Sequence, residues 1–231
     1  MLLFTKKQLT NLLRYLGIGV KRVPRVIKEL RRKGFHVVGL IIPLVLYVGI
    51  NYTTFFTKEV ALWIMSTITL VYFIWEMLRL NIPAVKEFCM RTYGGMMREK
   101  EKDRINGSFF YLLGSTLCIY AFNPTVTIAS LLFLIIGDFS AALIGLSYGK
   151  TKIGNKSLEG TCAMFLSCLL ISLVLFRDCN LGEQLAFWGS LAASLVELFN
   201  PSWIDDNLTI PCFSGLAIHF MAYRLGTEIV C

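Results

Sequence analysis

Histidine is almost missing from this chain: only His36 and His219 stand among 231 residues. The seven cysteines are odd in number and scattered, and no two form a Cys-x-x-Cys pair. These absences argue against a zinc site and against a disulfide framework. Charge is scarce as well, at 16% of residues against roughly a quarter in an average soluble domain. There is no low-complexity linker, no composition break marking a second soluble domain and no convincing internal repeat. A transporter with midplane charges predicts inverted repeats and interrupted helices in both halves. Neither is visible, so that reading stands as the alternative from another functional class.

What the chain has instead is apolar sequence in blocks: 55% hydrophobic residues and a mean hydropathy of +0.63. A helix needs about 20 apolar residues to cross a hydrocarbon layer about 30 Å thick. Segment 37–56 carries no charge, and 60–75 lies between Glu59 and Glu76. Segment 105–137 is uncharged but divided by Asn123-Pro124, which predicts spans at 108–122 and 124–146. Segments 160–176, 184–199 and 208–223 complete an expected set of seven. The predicted fold is all-α: a polytopic membrane helix bundle of about seven transmembrane helices with a basic amphipathic N-terminal helix. Residues 1–36 are expected to form an arm on the cytoplasmic face and 37–231 the transmembrane catalytic bundle. A cleaved signal sequence is not expected, because the first apolar run begins at residue 37 and no small-residue cleavage pattern follows.

Orientation follows from lysine and arginine. Ten of the 23 basic residues lie in 1–36, seven in 79–107 and three in 147–160. Seven spans with a cytoplasmic N-terminus put all three segments inside, in a bacterial inner membrane or an ER-type membrane. The net charge of +8 then belongs to one membrane face and requires no nucleic acid. In the arm, Leu9, Leu12, Leu13 and Leu16 recur at helical spacing, and Lys21, Arg25, Lys28 and Arg32 share a face after Pro24. This reads as an interfacial helix on anionic lipid, or else as a partner-binding arm. Segment 84–104 reads as a surface helix and turn broken at Gly94-Gly95.

The rare polar residues collect on the inner side. His36 ends the arm, Glu76 and Arg79 share a helix face, and Asp138 lies in the inner half of the fourth span. Glu197 is near the inner end of the sixth span, and Asp205, Asp206 and Asn207 precede the seventh. Each has a structural reading too: an ion pair for Glu76 and Arg79, a headgroup-level His36, a helix cap at Asp206-Asn207. An ionisable group in a span costs of the order of 2.5–3.5 kcal/mol on insertion scales, so Asp138 and Glu197 should face the protein interior or a wet cavity. After Asp138 comes a loop with Gly145, Gly149, Lys150, Lys152, Lys156, Ser157, Glu159 and Gly160. Glycines let backbone N–H groups approach a ligand, lysines add charge, and the next helix aims its N-terminus at the same place. That combination suits a polyphosphate. Gly145-x-x-x-Gly149-Lys150-Thr151 is not a P-loop, because it has three residues between the glycines where four are required. Phosphate chemistry calls for a divalent cation, for which Asp138, Asp205 and Asp206, with Glu197 in reserve, are the candidate ligands.

Four blocks resemble the CTP-dependent lipid kinases, the diacylglycerol/polyprenol kinase family that includes dolichol kinase and phytol kinase. They are Arg32-Lys33-x-x-His36 with Pro43, and Glu76-x-x-Arg79-x-x-x-Pro83. The third is Gly137-Asp138-x-x-Ala141-x-x-x-Gly145-x-x-x-Gly149-Lys150, ending in Lys156-Ser157-x-Glu159-Gly160. The fourth is Glu197 followed by Asp205-Asp206-Asn207 and Pro211. The resemblance implies phosphoryl transfer from CTP to a lipid hydroxyl with Mg2+. Asp138, Asp206, Glu76 and His36 would be catalytic. The 145–160 loop, with Arg79 and Asn207, would hold the nucleotide. The related phosphatidate cytidylyltransferases supply the runner-up, attack at the α-phosphorus of CTP. The expected partners are the lipid alcohol, CTP and membrane lipids.

Overall fold

The computed structural model describes residues 8, 10, 13, 15, 18, 19, 22–94, 97, 101–201, 203–227 and 229, with side chains except at 28, 31, 32 and 35–37. Helix α1 (Val23–His36) passes through a 3-10 turn (Val37–Leu40) into α2 (Ile41–Tyr52). Then come α3 (Lys58–Asn81), α4 (Pro83–Tyr93), α5 (Gly107–Ala121) and α6 (Pro124–Leu132). A π-helical turn (Phe133–Gly137) joins α6 to α7 (Asp138–Ser147). A hairpin of β1 (Lys152–Ile153) and β2 (Lys156–Ser157) precedes α8 (Leu158–Leu175), α9 (Gly182–Phe199) and α10 (Asp206–Leu225).

Local chemistry sets these boundaries. Side-chain oxygens of Thr57, Asn106, Asn123, Ser157 and Asp205 accept N–H bonds at the starts of α3, α5, α6, α8 and α10. Pro83 and Pro124 occupy first turns, where a missing N–H costs nothing. Gly154 turns the hairpin with a φ of 58°, a region that disfavours other residues.

Each apolar segment predicted to span coincides with a helix. Lys58–Asn81, Pro124–Ser147 and Leu158–Leu175 are long and apolar enough to cross a membrane. Val38–Tyr52 and Gly107–Ala121 are apolar but shorter. Helices α9 and α10, of 18 and 20 residues, have the length and are less apolar. Large apolar side chains face outward: Trp63, Leu70 and Val71 on α3, Leu166, Leu170 and Val174 on α8, Leu216 and Phe220 on α10. A surface of that kind is matched by lipid rather than water.

The core joins the π turn to α8, α9 and α10 through Phe133, Leu134, Met164, Cys168, Leu185, Ala193, Ile210 and Ile218. Small residues let these helices close. A Cβ on Gly189 would lie 2.5 Å from the Ile218 side chain, and one on Gly137 2.5 Å from Cys168 Sγ. Cys89, Cys118, Cys162, Cys168 and Cys212 are free thiols. Cys179, between α8 and α9, is disulfide-bonded, which the scattered cysteine spacing did not indicate.

The described part of the arm packs against the bundle. Val23, Val26 and Ile27 of α1 are buried with Leu13 and Ile18, and Leu143 and Leu146 of α7 pack against them. Arg22 Nη1 donates to the Ser147 carbonyl at 2.9 Å. Of the leucines whose helical spacing suggested an interfacial helix, Leu13 is buried in this cluster, and Leu9, Leu12 and Leu16 lie outside the described residues.

Candidate functional site

Asp138 is the first residue of α7, directly after the π turn. Such a turn rotates the residues that follow it relative to a regular helix, and π turns recur at functional sites. Asp138 is only 7% exposed. It is met by Lys33 of α1, whose ammonium pairs with Asp138 Oδ2 and donates to the Asp138 carbonyl at 3.1 Å. Lys33 is itself 3% exposed.

A second ion pair joins Lys156 of β2 to buried Glu197 near the end of α9. Burial disfavours the Lys156 ammonium, but Glu197 beside it, with Asp206 and Asp138 nearby, outweighs this and raises the Lys156 pKa above its ordinary value. Glu197 in turn feels Lys156, Asp138 and Asp206. Four of the residues singled out in the sequence therefore share one electrostatic neighbourhood, drawn from α7, β2, α9 and α10. Asp206 Oδ1 is oriented by Asn200 Nδ2 at 3.0 Å, and Asn200 Oδ1 accepts from Thr209 at 3.2 Å. Among the described residues, no three His, Cys, Asp or Glu side chains lie close enough to hold one ion by themselves.

The loop after α7 is bound by its own carboxylate. Glu159 Oε1 accepts from the Lys150 and Thr151 amides, both at 3.0 Å. Lys150 and Lys152 are exposed beside it. Gly145, Gly149 and Gly160 mark the crossing of α7, the loop and α8. A Cβ on Gly149 would lie 2.3 Å from the Gly145 carbonyl, and one on Gly160 2.7 Å from the Ala141 carbonyl. Ser157, which caps α8, fills the space between them. Their room is occupied by neighbouring protein.

Glu76 and Arg79 form a fully buried pair, with Nε to Oε1 at 2.9 Å and Nη2 to Oε2 at 2.7 Å. The same guanidinium donates to the carbonyls of Glu101, Lys102 and Arg104. Asp205 caps α10, accepting from Asn207 N at 3.1 Å and Asn207 Nδ2 at 2.7 Å. Asn207 Nδ2 also donates to the Gly107 carbonyl at 3.2 Å. These four residues lie one step from the Asp138 cluster, adjoining it through Asp206. The His36 side chain lies outside those described.

Three polar residues had no role in the site assigned to them from the sequence: Lys33, named only as part of a block, and Asn106 and Asn200. Lys33 continues the stripe of buried Val23, Val26 and Ile27 and half-buried Leu30, and a lysine on an apolar stripe was its available signal. Asn106 and Asn200 act through loop and turn geometry and carry no comparable signal.

No protein-family model matches the chain, and no solved structure does. Among curated proteins it is 34% identical over 216 residues to CTP-dependent diacylglycerol kinase 1 of Saccharomyces cerevisiae, covering 81% of this chain and 71% of that one. It is 30% identical to the enzyme of that name from Schizosaccharomyces pombe, over 63% of this chain and 74% of that one. An uncharacterized protein of Rickettsia prowazekii is 30% identical over 85% of this chain and 96% of its own length. With a carboxylate–lysine cluster at the ends of apolar helices, and with the first of these kinases matched over most of both chains, the chain belongs to the family of CTP-dependent diacylglycerol kinases.

Proposed function

We propose that this protein transfers the γ-phosphoryl group of CTP to the hydroxyl of a lipid alcohol, diacylglycerol or a polyprenol, at the inner face of a membrane. The observation that carries the reading is the buried Lys156–Glu197 ion pair, with Asp138 and Asp206 in its electrostatic field. Water solvates such charges better than a helix bundle does, so their convergence points to a charged ligand. The names of the relatives identify the class of ligand.

The topology that suits this chemistry has seven spans and a cytoplasmic N-terminus. The lipid alcohol then approaches sideways with its hydroxyl at headgroup level, and the nucleotide docks from the cytoplasm. Lys156, kept charged by its carboxylate neighbours, faces the phosphates, and the exposed Lys150 and Lys152 widen the positive field around them. Glu159, by holding the Lys150 and Thr151 amides, fixes the loop that carries them. Asp138 and Asp206 divide two duties between them: holding the metal-bound phosphate and accepting the proton of the attacking hydroxyl. Magnesium, when bound with the triphosphate, neutralises charge developing on the transferred group. It is satisfied by one or two carboxylates plus phosphate oxygens, and Asp138, Asp206 and Glu197 fit that oxygen donor set.

The test is labelled transfer in detergent. Purified protein is incubated with γ-labelled or α-labelled CTP, and with γ-labelled ATP, against diacylglycerol, polyprenol, dolichol and phytol, and against phosphatidate as the acceptor a cytidylyltransferase would need. Label reaching the lipid from the γ position of CTP, and lost on chelation of magnesium, is the expected result. Label from the α position would identify a cytidylyltransferase, and solute uptake in vesicles without any transfer a transporter.

A further inference from the structure

The Glu76–Arg79 pair sits behind the candidate site, closed off from solvent and bonded on every side. Both its side chains are 0% exposed. Arg79 draws in the carbonyls of Glu101 at 3.2 Å, Lys102 at 3.2 Å and Arg104 at 2.7 Å. Glu76 accepts from the next residues along, Asn106 N at 3.1 Å and Asn106 Nδ2 at 3.2 Å. Asn106 Oδ1 spends itself on the start of α5, accepting from Ser108 N at 3.0 Å and Phe109 N at 3.2 Å. The path of the chain from 101 to 109 is thereby specified from one buried ion pair.

That path ends against the first turn of α10. The Gly107 carbonyl accepts from Asn207 Nδ2, which also donates to Asp205 Oδ1. The fit there is close: a Cβ on Gly107 would lie 2.7 Å from Asn207 Nδ2, and one on Gly114 2.9 Å from the Asn207 carbonyl. Between Asp205 and Asn207 lies Asp206, a member of the charged cluster.

We propose that Glu76, Arg79, Asn106 and Gly107 form a positioning latch: the buried pair holds the 101–107 loop so that the Gly107 carbonyl sets Asn207, and Asn207 sets the turn that aims Asp206. None of the four touches nucleotide or lipid. The proposal rests on the kinase reading for its consequence in catalysis, but the latch itself is physical and can be read without turnover.

Gly107→Ala is the sharpest probe. It leaves the ion pair intact, suits a helix start, and pushes only on Asn207 Nδ2. A small displacement of a reacting group is costly, so kcat should fall about tenfold to a hundredfold while the KM values for CTP and lipid stay within about twofold. Arg79→Lys should give the same signature, and the double variant should be no slower than the slower single one, because both act through one joint. A rise in the KM for CTP with kcat retained in Arg79→Lys would make Arg79 a nucleotide contact and overturn the proposal. So would multiplicative losses in the double variant, or wild-type kinetics in Gly107→Ala. If Arg79→Lys does not accumulate, Gly107→Ala decides alone. Hydrogen exchange gives the reading independent of activity: Gly107→Ala must speed exchange across 205–209, and unchanged protection there overturns the latch. A wild-type protein inert toward CTP and every lipid alcohol would instead overturn the kinase reading.

Discussion

Lys33 and Asp138 form a buried ion pair in which one ammonium meets both the carboxylate and the backbone carbonyl of the same aspartate. The pair ties α1 to the first turn of α7, and Arg22 ties the other end of α1 to Ser147. A buried charge left without its partner is strongly destabilising, by about 3–5 kcal/mol.

Lys33→Met should therefore lower stability by about that amount, about 3–5 kcal/mol, read as thermal unfolding in detergent. The double variant Lys33→Met/Asp138→Leu removes both charges and should recover most of the loss while remaining inactive. Recovery of activity together with stability would show that Asp138 serves the fold alone.

Asp138→Asn keeps an oxygen for Lys33 and removes the negative charge. Transfer from γ-labelled CTP should drop by at least about a hundredfold, and the melting temperature should fall as well, because Lys33 keeps its buried charge without a carboxylate beside it. Initial rates within a factor of a few of wild type would remove Asp138 from the chemistry.

Lys156 titrates above its ordinary value of 10.5, since burial, which opposes its charge, is outweighed by Glu197, Asp206 and Asp138. A lysine whose folded pKa is raised contributes stability that is complete below its unfolded pKa and is lost as pH climbs through the folded one. The melting-temperature gap between wild type and Lys156→Gln should thus stay constant from about pH 7 to about pH 9 and shrink only beyond about 10.5. A gap that closes near neutrality would contradict the pairing with Glu197.

Glu159→Ala deprives the Lys150 and Thr151 amides of their acceptor. The loop then loses its shape, and the KM for CTP should rise about tenfold, the equivalent of about 1.4 kcal/mol, with a smaller change in kcat. Equal falls in kcat and kcat/KM at constant KM would place Glu159 in the transition state instead.

Two glycine substitutions should destabilise for different reasons. Gly149→Ala forces a methyl to within 2.3 Å of the Gly145 carbonyl and 2.7 Å of Ser157 Oγ, and overpacking of this sort costs about 1–3 kcal/mol. Gly154→Ala meets nothing within 4 Å, but its φ of 58° costs an L-residue about 1–2 kcal/mol. If Gly154→Ala melts as wild type does while Gly149→Ala does not, the hairpin turn is relaxed and the crossing is tight.

Much of the site was legible because charge is conspicuous in apolar sequence. Asp138 and Glu197 stood out in that way, and both lie in the cluster. Glu76 and Arg79 were legible as an i, i+3 pair, but what they hold was not. Their partners are the carbonyls of residues 101, 102 and 104, and every residue has a carbonyl. Gly145, Gly149 and Gly160 announced close approach without saying to what: a ligand and a crossing helix ask the same of a glycine. Lys33 was legible in the Arg32-Lys33-x-x-His36 block, but its partner was not, since charge is common among the basic residues of the arm.

The order of residues alone settled the helices, because long apolar runs, Asn123-Pro124 and capping side chains act within a few positions of themselves. It also settled which side chains are too polar for their surroundings. Which of those side chains meet was decided in three dimensions, as with Lys33 and Asp138, 105 positions apart. Such pairing depends on how α1 packs along α7 and on a π turn that sets the direction of a single carboxylate. Both follow from the summed packing of the whole bundle, which no local stretch of sequence encodes.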